Sequence, residues 1–173
     1  MKIKHTLLMG LFSSLFAASS PAGQGEMVSY EAPDVSGPNQ KGESVQFTDV
    51  YAKGPTVVFF YPKANTPGCT KQACSLRDAF ADLSKDGVQI LGVSMDKVDA
   101  QKKFSDDFSL PYDLIADPEG KIVDAFKVEK MMLGKLASRQ CFLIKDGKVV
   151  WHDAKASTAE QANDIKRVLG ELN

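Results

Sequence analysis

The sequence has no surplus of charge: 21 Lys and Arg stand against 22 Asp and Glu, a formal net charge of −1 over 173 residues. It also lacks any cluster of Lys and Arg interleaved with aromatic residues. With neither a positive field nor a stacking platform to hold a polyanion, nucleic acid is not an expected partner. Histidine is scarce, with only His5 and His152, and His152 has no second histidine in the body of the chain with which to build a metal site. Neither a metal nor a cofactor is expected. Long apolar runs are missing too. The main one, Leu7 to Ala18, is about 12 residues, whereas a membrane-spanning helix needs roughly 20, so no stable membrane anchor is expected.

That run follows Lys2 and Lys4 and precedes Ser19, Ser20 and Ala22. The order of basic, apolar and small residues reads as a secretory signal peptide over residues 1–22, with the periplasm as destination in a Gram-negative cell. The remainder, residues 27–173, has the length and mixture of one ordinary domain; apolar residues are 43% and charged residues 25% of the chain, enough to bury a core. Cysteine is sparse and odd in number: Cys69, Cys74 and Cys141. In an oxidising compartment an odd count leaves at least one thiol outside any intramolecular pair.

The elements alternate. Pro55 to Tyr61 is apolar, β-branched and aromatic without alternation, which reads as a strand covered on both faces. Pro62 stops it, and Pro67 suits the first turn of a helix that carries Ala73, Leu76, Ala79, Phe80 and Leu83 at helical spacing and ends near Asp86-Gly87. Val88 to Met95 is a second buried strand and Val98 to Phe108 an amphipathic helix closed before Pro111. This order implies parallel pairing through right-handed crossovers. Leu114 to Ala116 reads as a short strand, Pro118 to Phe126 as a short helix, and Gln140–Ile144 with Lys148–Trp151 as a hairpin around Asp146-Gly147. Ser157-Thr158-Ala159-Glu160 has the form of a capping box opening a terminal helix to about Leu172. The expected fold is α/β, a central mixed sheet flanked by helices.

Cys69 is thereby placed in the first turn of a helix. Unpaired backbone N–H groups and the helix dipole favour the thiolate over the thiol there, and only the thiolate is a strong nucleophile. The same N–H groups can hold the oxygen of a bound peroxide. Thr66 can bring a hydroxyl to this pocket as donor and acceptor, and Pro62 and Pro67 stiffen the loop around the sulfur. An oxygen leaving a cleaved O–O bond accumulates negative charge, so an arginine from elsewhere in the fold would complete such a site.

Pro62, Thr66 and Cys69 at these spacings resemble the active-site motif of the peroxiredoxins. Asn65-Thr66-Pro67-Gly68-Cys69-Thr70 with Cys74 is similar to the bacterioferritin comigratory protein or PrxQ subgroup. The resemblance runs from Ala32-Pro33-Asp34 to Ser138-Arg139-Gln140-Cys141-Phe142-Leu143-Ile144, and puts the family arginine on Arg139. It departs at Cys141, where the family usually has threonine. The resemblance implies a thioredoxin-like fold and a peroxidase acting on hydrogen peroxide and organic hydroperoxides. It implies that Cys69 becomes a sulfenic acid and that Cys74 condenses with it to a disulfide. A thioredoxin-like or other dithiol donor would then reduce that disulfide, and the protein is expected to be a monomer or weak dimer.

Two helical residues five apart have Cα atoms roughly 8.7 Å apart, whereas a disulfide accepts about 4.4–6.8 Å. If both cysteines lie on the helix, its first turns must unwind before the bond closes. The competing function is an exported thioredoxin-like thiol–disulfide oxidoreductase, but such proteins have two residues between their cysteines, and here there are four. Cys141, inside an apolar run, reads as core. His152 reads as exposed or capping. Met131 and Met132 read as packing residues, with the mouth of the active site as the alternative, and Lys102-Lys103 with Asp106-Asp107 as a solvated helix face.

Overall fold

Two strands distant in sequence, Thr56–Phe60 and Gln140–Lys145, are antiparallel neighbours in one sheet.

The computed structural model describes residues 25–172; the expected signal peptide at residues 1–22 lies outside them. In chain order the elements are β1 (Glu26–Glu31), β2 (Ser36–Pro38), β3 (Ser44–Gln46), α1 (Phe47–Tyr51), β4 (Thr56–Phe60), α2 (Pro67–Lys85), β5 (Gln89–Ser94), α3 (Val98–Phe108), β6 (Asp113–Ala116), α4 (Lys121–Ala125), β7 (Lys130–Met131), β8 (Leu136–Ala137), β9 (Gln140–Lys145), β10 (Lys148–Asp153) and α5 (Gln161–Glu171). Six strands form the main sheet in the order β1-β10-β9-β4-β5-β6. The pairs β4/β5 and β5/β6 are parallel; β9/β4, β10/β9 and β1/β10 are antiparallel. The sheet is therefore mixed, as the element order implies.

Every residue of β4 is buried, and its side chains alternate between two cores. Val57 and Phe59 face the layer of α2, α3 and α5, while Val58 and Phe60 face that of α1 and α4. A strand covered on both faces has no polar side to show, which is why this run carries no alternation. β9 is divided in the same way, with Cys141 and Leu143 on the α2 side and Phe142 and Ile144 on the other. Asp146 and Gly147 turn the β9–β10 hairpin with φ of 53° and 74°, the left-handed pair that a two-residue hairpin loop requires. Among the described residues no helix is long and apolar enough to cross a membrane.

Several elements differ from the sequence reading. The terminal helix begins at Gln161, not within the Ser157–Glu160 motif. Ser157 Oγ does accept from the backbone N–H groups of Ala159 and Glu160, at 3.2 and 3.0 Å, but Glu160 turns its carboxylate forward to Asn163, so only half of the capping box forms. The helix expected from Pro118 is shortened to Lys121–Ala125, because Gly120 sits at φ 72° and Asp117 caps from outside, accepting from Lys121 and Val123 N–H at 2.9 Å each. His152 is half-buried rather than exposed, stacked on Phe142 with centroids 4.2 Å apart and hydrogen-bonded to Gln140 at 2.8 Å; burial pushes its pKa down. Met131 and Met132 do not pack: they stand exposed with Leu133 at the tip of the β7–β8 hairpin. Lys102 and Lys103 pair with Asp106 and Asp107 at 2.6 and 2.7 Å on a solvated face, as read.

Gly92 on β5, between β4 and the edge strand β6, leaves room for the Phe59 ring: a Cβ there would lie 2.7 Å from both Phe59 Cζ and Leu114 Cδ2. Gly92→Ala is expected to destabilise the fold by about 1–3 kcal/mol, the usual range for overpacking, read as a lower urea midpoint. Cys141 is fully buried and its pKa is raised, first by desolvation. It should therefore stay unlabelled by iodoacetamide near neutral pH in the native reduced protein and react only in denaturant, as followed by peptide mass spectrometry.

Candidate active site

The site lies where β4 ends and β9 begins. Phe60, the last residue of β4, pairs with Gln140, the first of β9. Because the two strands are antiparallel, the chain leaving β4 towards Cys69 and the chain entering β9 from Arg139 meet at one end of the sheet. The intervening loop is pinned from β5: the Asp96 carboxylate accepts from the Ala64 N–H and from Ser94 Oγ, both at 2.8 Å. Half-buried Pro62 follows β4 after Tyr61, and Asn65 takes a left-handed φ of 57° just before the helix.

Pro67 is the first helical residue, so its missing N–H removes no helical bond. The first helical bond beyond it runs from Thr70 N–H to the Thr66 carbonyl at 2.8 Å. Cys69 therefore sits among the first-turn N–H groups that have no partner within the helix. It is 1% exposed. Arg139 Nη2 donates towards Cys69 Sγ at 3.4 Å. The absence of a side chain at Gly68 permits this approach, since a Cβ there would stand 3.3 Å from Arg139 Nη2. Arg139 is half-buried, and its carbonyl accepts from Ala156 N–H at 3.3 Å, which ties it to the loop ahead of α5.

Thr66 occupies the N-cap position without capping the helix; its hydroxyl donates instead to the Lys63 carbonyl at 2.9 Å. The proton of that hydroxyl is thus committed, leaving its lone pairs free to accept. Cys74 is not beside Cys69. Both lie on the uninterrupted helix α2, and half-buried Cys74 borders a groove of about 490 Å3 between α2 and α5, with Lys71, Ser75, Ala159, Ala162 and Lys166. All three cysteines are free thiols. The structure accordingly brings Cys69, Arg139, Thr66 and Pro62 to one end of the sheet and holds Cys74 apart.

Two further side chains join the site. Gln72 accepts from Arg139 Nη1 and donates to Gln161 of α5. Gln72 stands three residues after Cys69, on the same helix face, and this spacing could have marked it. Gln161 gives no comparable signal. In the core cluster that also holds Cys69, Tyr61 is fully buried, stacks on Phe59 at 5.6 Å and donates its hydroxyl to Gln101; burial holds its phenol un-ionised by raising its pKa.

The AhpC/TSA family profile matches residues 28–152. Peroxiredoxin Bcp of Escherichia coli is 42% identical over 134 residues, covering 73% of this chain and 85% of that one. A putative peroxiredoxin bcp of Coxiella burnetii is 37% identical over 153 residues, covering 84% and 97%. Peroxiredoxin bcp1 of Schizosaccharomyces pombe is 41% identical, but the match spans only 53% of its length. Among solved structures, peroxidoxin BcpB of Mycobacterium tuberculosis aligns with a TM-score of 0.76 at 32% identity, covering 88% of this chain and 99% of that one. The bacterioferritin comigratory protein of Xanthomonas campestris aligns with a TM-score of 0.76 at 26% identity, covering 85% and 99%. The chain belongs to the AhpC/TSA family, and within it to the peroxiredoxins of the Bcp and PrxQ kind.

Proposed function

We propose that this protein reduces hydrogen peroxide and organic hydroperoxides by a two-cysteine cycle in which Cys69 attacks and Cys74 resolves. The observation that carries the reading is the Arg139 guanidinium 3.4 Å from a buried cysteine sulfur in the first turn of a helix. The thiolate attacks one peroxide oxygen, an S–O bond forms as the O–O bond breaks, and the other oxygen leaves as water or an alcohol after taking a proton. Arg139 and the first-turn N–H groups meet the charge that develops, Thr66 accepts from the peroxide O–H, and Pro62 shapes the loop. Cys74 then displaces water from the Cys69 sulfenic acid to form a disulfide. A thioredoxin-like or other dithiol donor returns two electrons and two protons. Organic substrates are supported by the alkyl peroxide reduction activity of the Xanthomonas campestris protein.

With both cysteines in one continuous helix, their Cα atoms are roughly 8.7 Å apart by helix geometry, so α2 unwinds at its start before the disulfide closes. A thioredoxin-type oxidoreductase has no observation in its favour, since its cysteines need no such movement. Cys69, Arg139, Thr66, Pro62 and Cys74 come from one chain, which supports a monomer or weak dimer. Lys2, Lys4 and the apolar run from Leu7 support export to the periplasm, where a thioredoxin-like donor of that compartment would serve as reductant.

Peroxide added to reduced protein should give a Cys69–Cys74 disulfide, read by mass spectrometry. Cys69→Ser should abolish the response, Cys74→Ser should leave a sulfenic acid, and Arg139→Ala should slow the peroxide step about a hundredfold. A wild type whose thiols ignore peroxide would overturn the reading. Cell fractionation with N-terminal sequencing should find a periplasmic chain processed near residue 22; an unprocessed cytosolic chain overturns export alone.

A further inference from the structure

Arg139 presents two nitrogens to the site, and they act differently. Nη2 faces the Cys69 sulfur at 3.4 Å, while Nη1 donates to Oε1 of Gln72. A guanidinium has only donors, whereas a glutamine amide has one donor end and one acceptor end. Arg139 is held in this rotation only while Gln72 turns its oxygen towards it; the amide turned over would set N–H against N–H. The nitrogen end of Gln72 donates to Oε1 of Gln161. Gln72 and Gln161 are 0% and 1% exposed, so water does not compete for either end.

We propose that Gln161 is a positioning residue for the Cys69 site: through Gln72 it fixes the rotation of the Arg139 guanidinium, and by the same bond it holds the start of α2 helical. The role in the reaction rests on the peroxidase reading, but the contact chain does not. Gln72 lies between Cys69 and Cys74, so its bond to Gln161 breaks when this part of the helix unwinds. Other ties between α2 and the α5 region, Ser75 Oγ to the Ala159 carbonyl at 3.2 Å and Lys166 to Asp82 at 3.0 Å, are part-buried or exposed and do not touch Arg139. Removing the Gln161 carbonyl therefore has two opposed effects. The thiolate is less well supported by Arg139, and the disulfide closes sooner.

The test follows Cys69 alkylation by iodoacetamide against pH, residue by residue, in reduced protein. No peroxide is involved, so failure of the peroxidase reading and failure of this inference are distinguishable. Gln161→Met keeps the side-chain length but deletes the acceptor. It should slow Cys69 alkylation near neutral pH by roughly fivefold, the worth of one ordinary hydrogen bond, and shift the profile to higher pH. Lys166→Ala, which loosens α5 without touching the chain of amides, should leave the profile unchanged. In a Gln72→Glu background both oxygens accept, no orienting partner is needed, and Gln161→Met should cause no shift; this comparison also serves if Gln161→Met alone folds poorly. After a peroxide pulse, disulfide formation should be faster in Gln161→Met than in wild type. An unchanged profile in Gln161→Met, an equal shift in Lys166→Ala, or a shift that persists with Gln72→Glu would overturn the proposal.

Discussion

The contact between the Arg139 guanidinium and the Cys69 sulfur spans 70 residues of sequence, and the rest of the site depends on it. It exists because β9 lies antiparallel beside β4, with Gln140 opposite Phe60. The cost of bringing such distant segments together is met by the two cores that the strands divide between them. Catalytic geometry and core packing are therefore not separable here, since the residues that bury Phe59 and Phe142 also set where Arg139 begins.

In the proposed two-cysteine cycle, helix α2 has two conflicting tasks. Its first turn must be intact to surround the sulfur with unpaired N–H groups, and must be lost for Cys74 to reach that sulfur. The helix is held at both ends of this stretch. Beyond the cysteines, the helix is anchored by Arg77 Nη1 to the Phe108 carbonyl at 2.9 Å and by Lys166 to Asp82. Near its start it is held by a few side-chain bonds, those of Gln72 and Ser75 and that of the Tyr112 hydroxyl to the Ala73 carbonyl at 2.7 Å. These bonds at the start are the ones that must break before Cys74 can reach the sulfur.

Much of this was legible in the sequence where local chemistry decides the structure. The unalternating run before Pro62, the Asp146-Gly147 hairpin and the span of α3 from Val98 to Phe108 follow from burial, left-handed turn chemistry and helical spacing. β1, the β2–β3 pair, α1 and the β7–β8 hairpin were not legible, because these short or polar segments take their form from neighbours. Cys69, Thr66 and Pro62 declared themselves by spacing, whereas Arg139 was placed through family resemblance. Gln161 could not be found at all, since its meaning lies in a bond to a residue 89 positions away. The capping box at Ser157 forms only in half because the Glu160 carboxylate is taken by Asn163, a choice between two local partners that the motif alone does not decide.

Cys141 lies on β9 opposite Phe59 and is sealed under the helical layer. In the finished fold it is inert, so the danger of an odd third thiol belongs to the time before the fold is finished. Until the sheet is covered, Cys141 is as available for mispairing as Cys69 and Cys74. Its protection is then a matter of sequence in time, with closure of the core having to outrun the first oxidant.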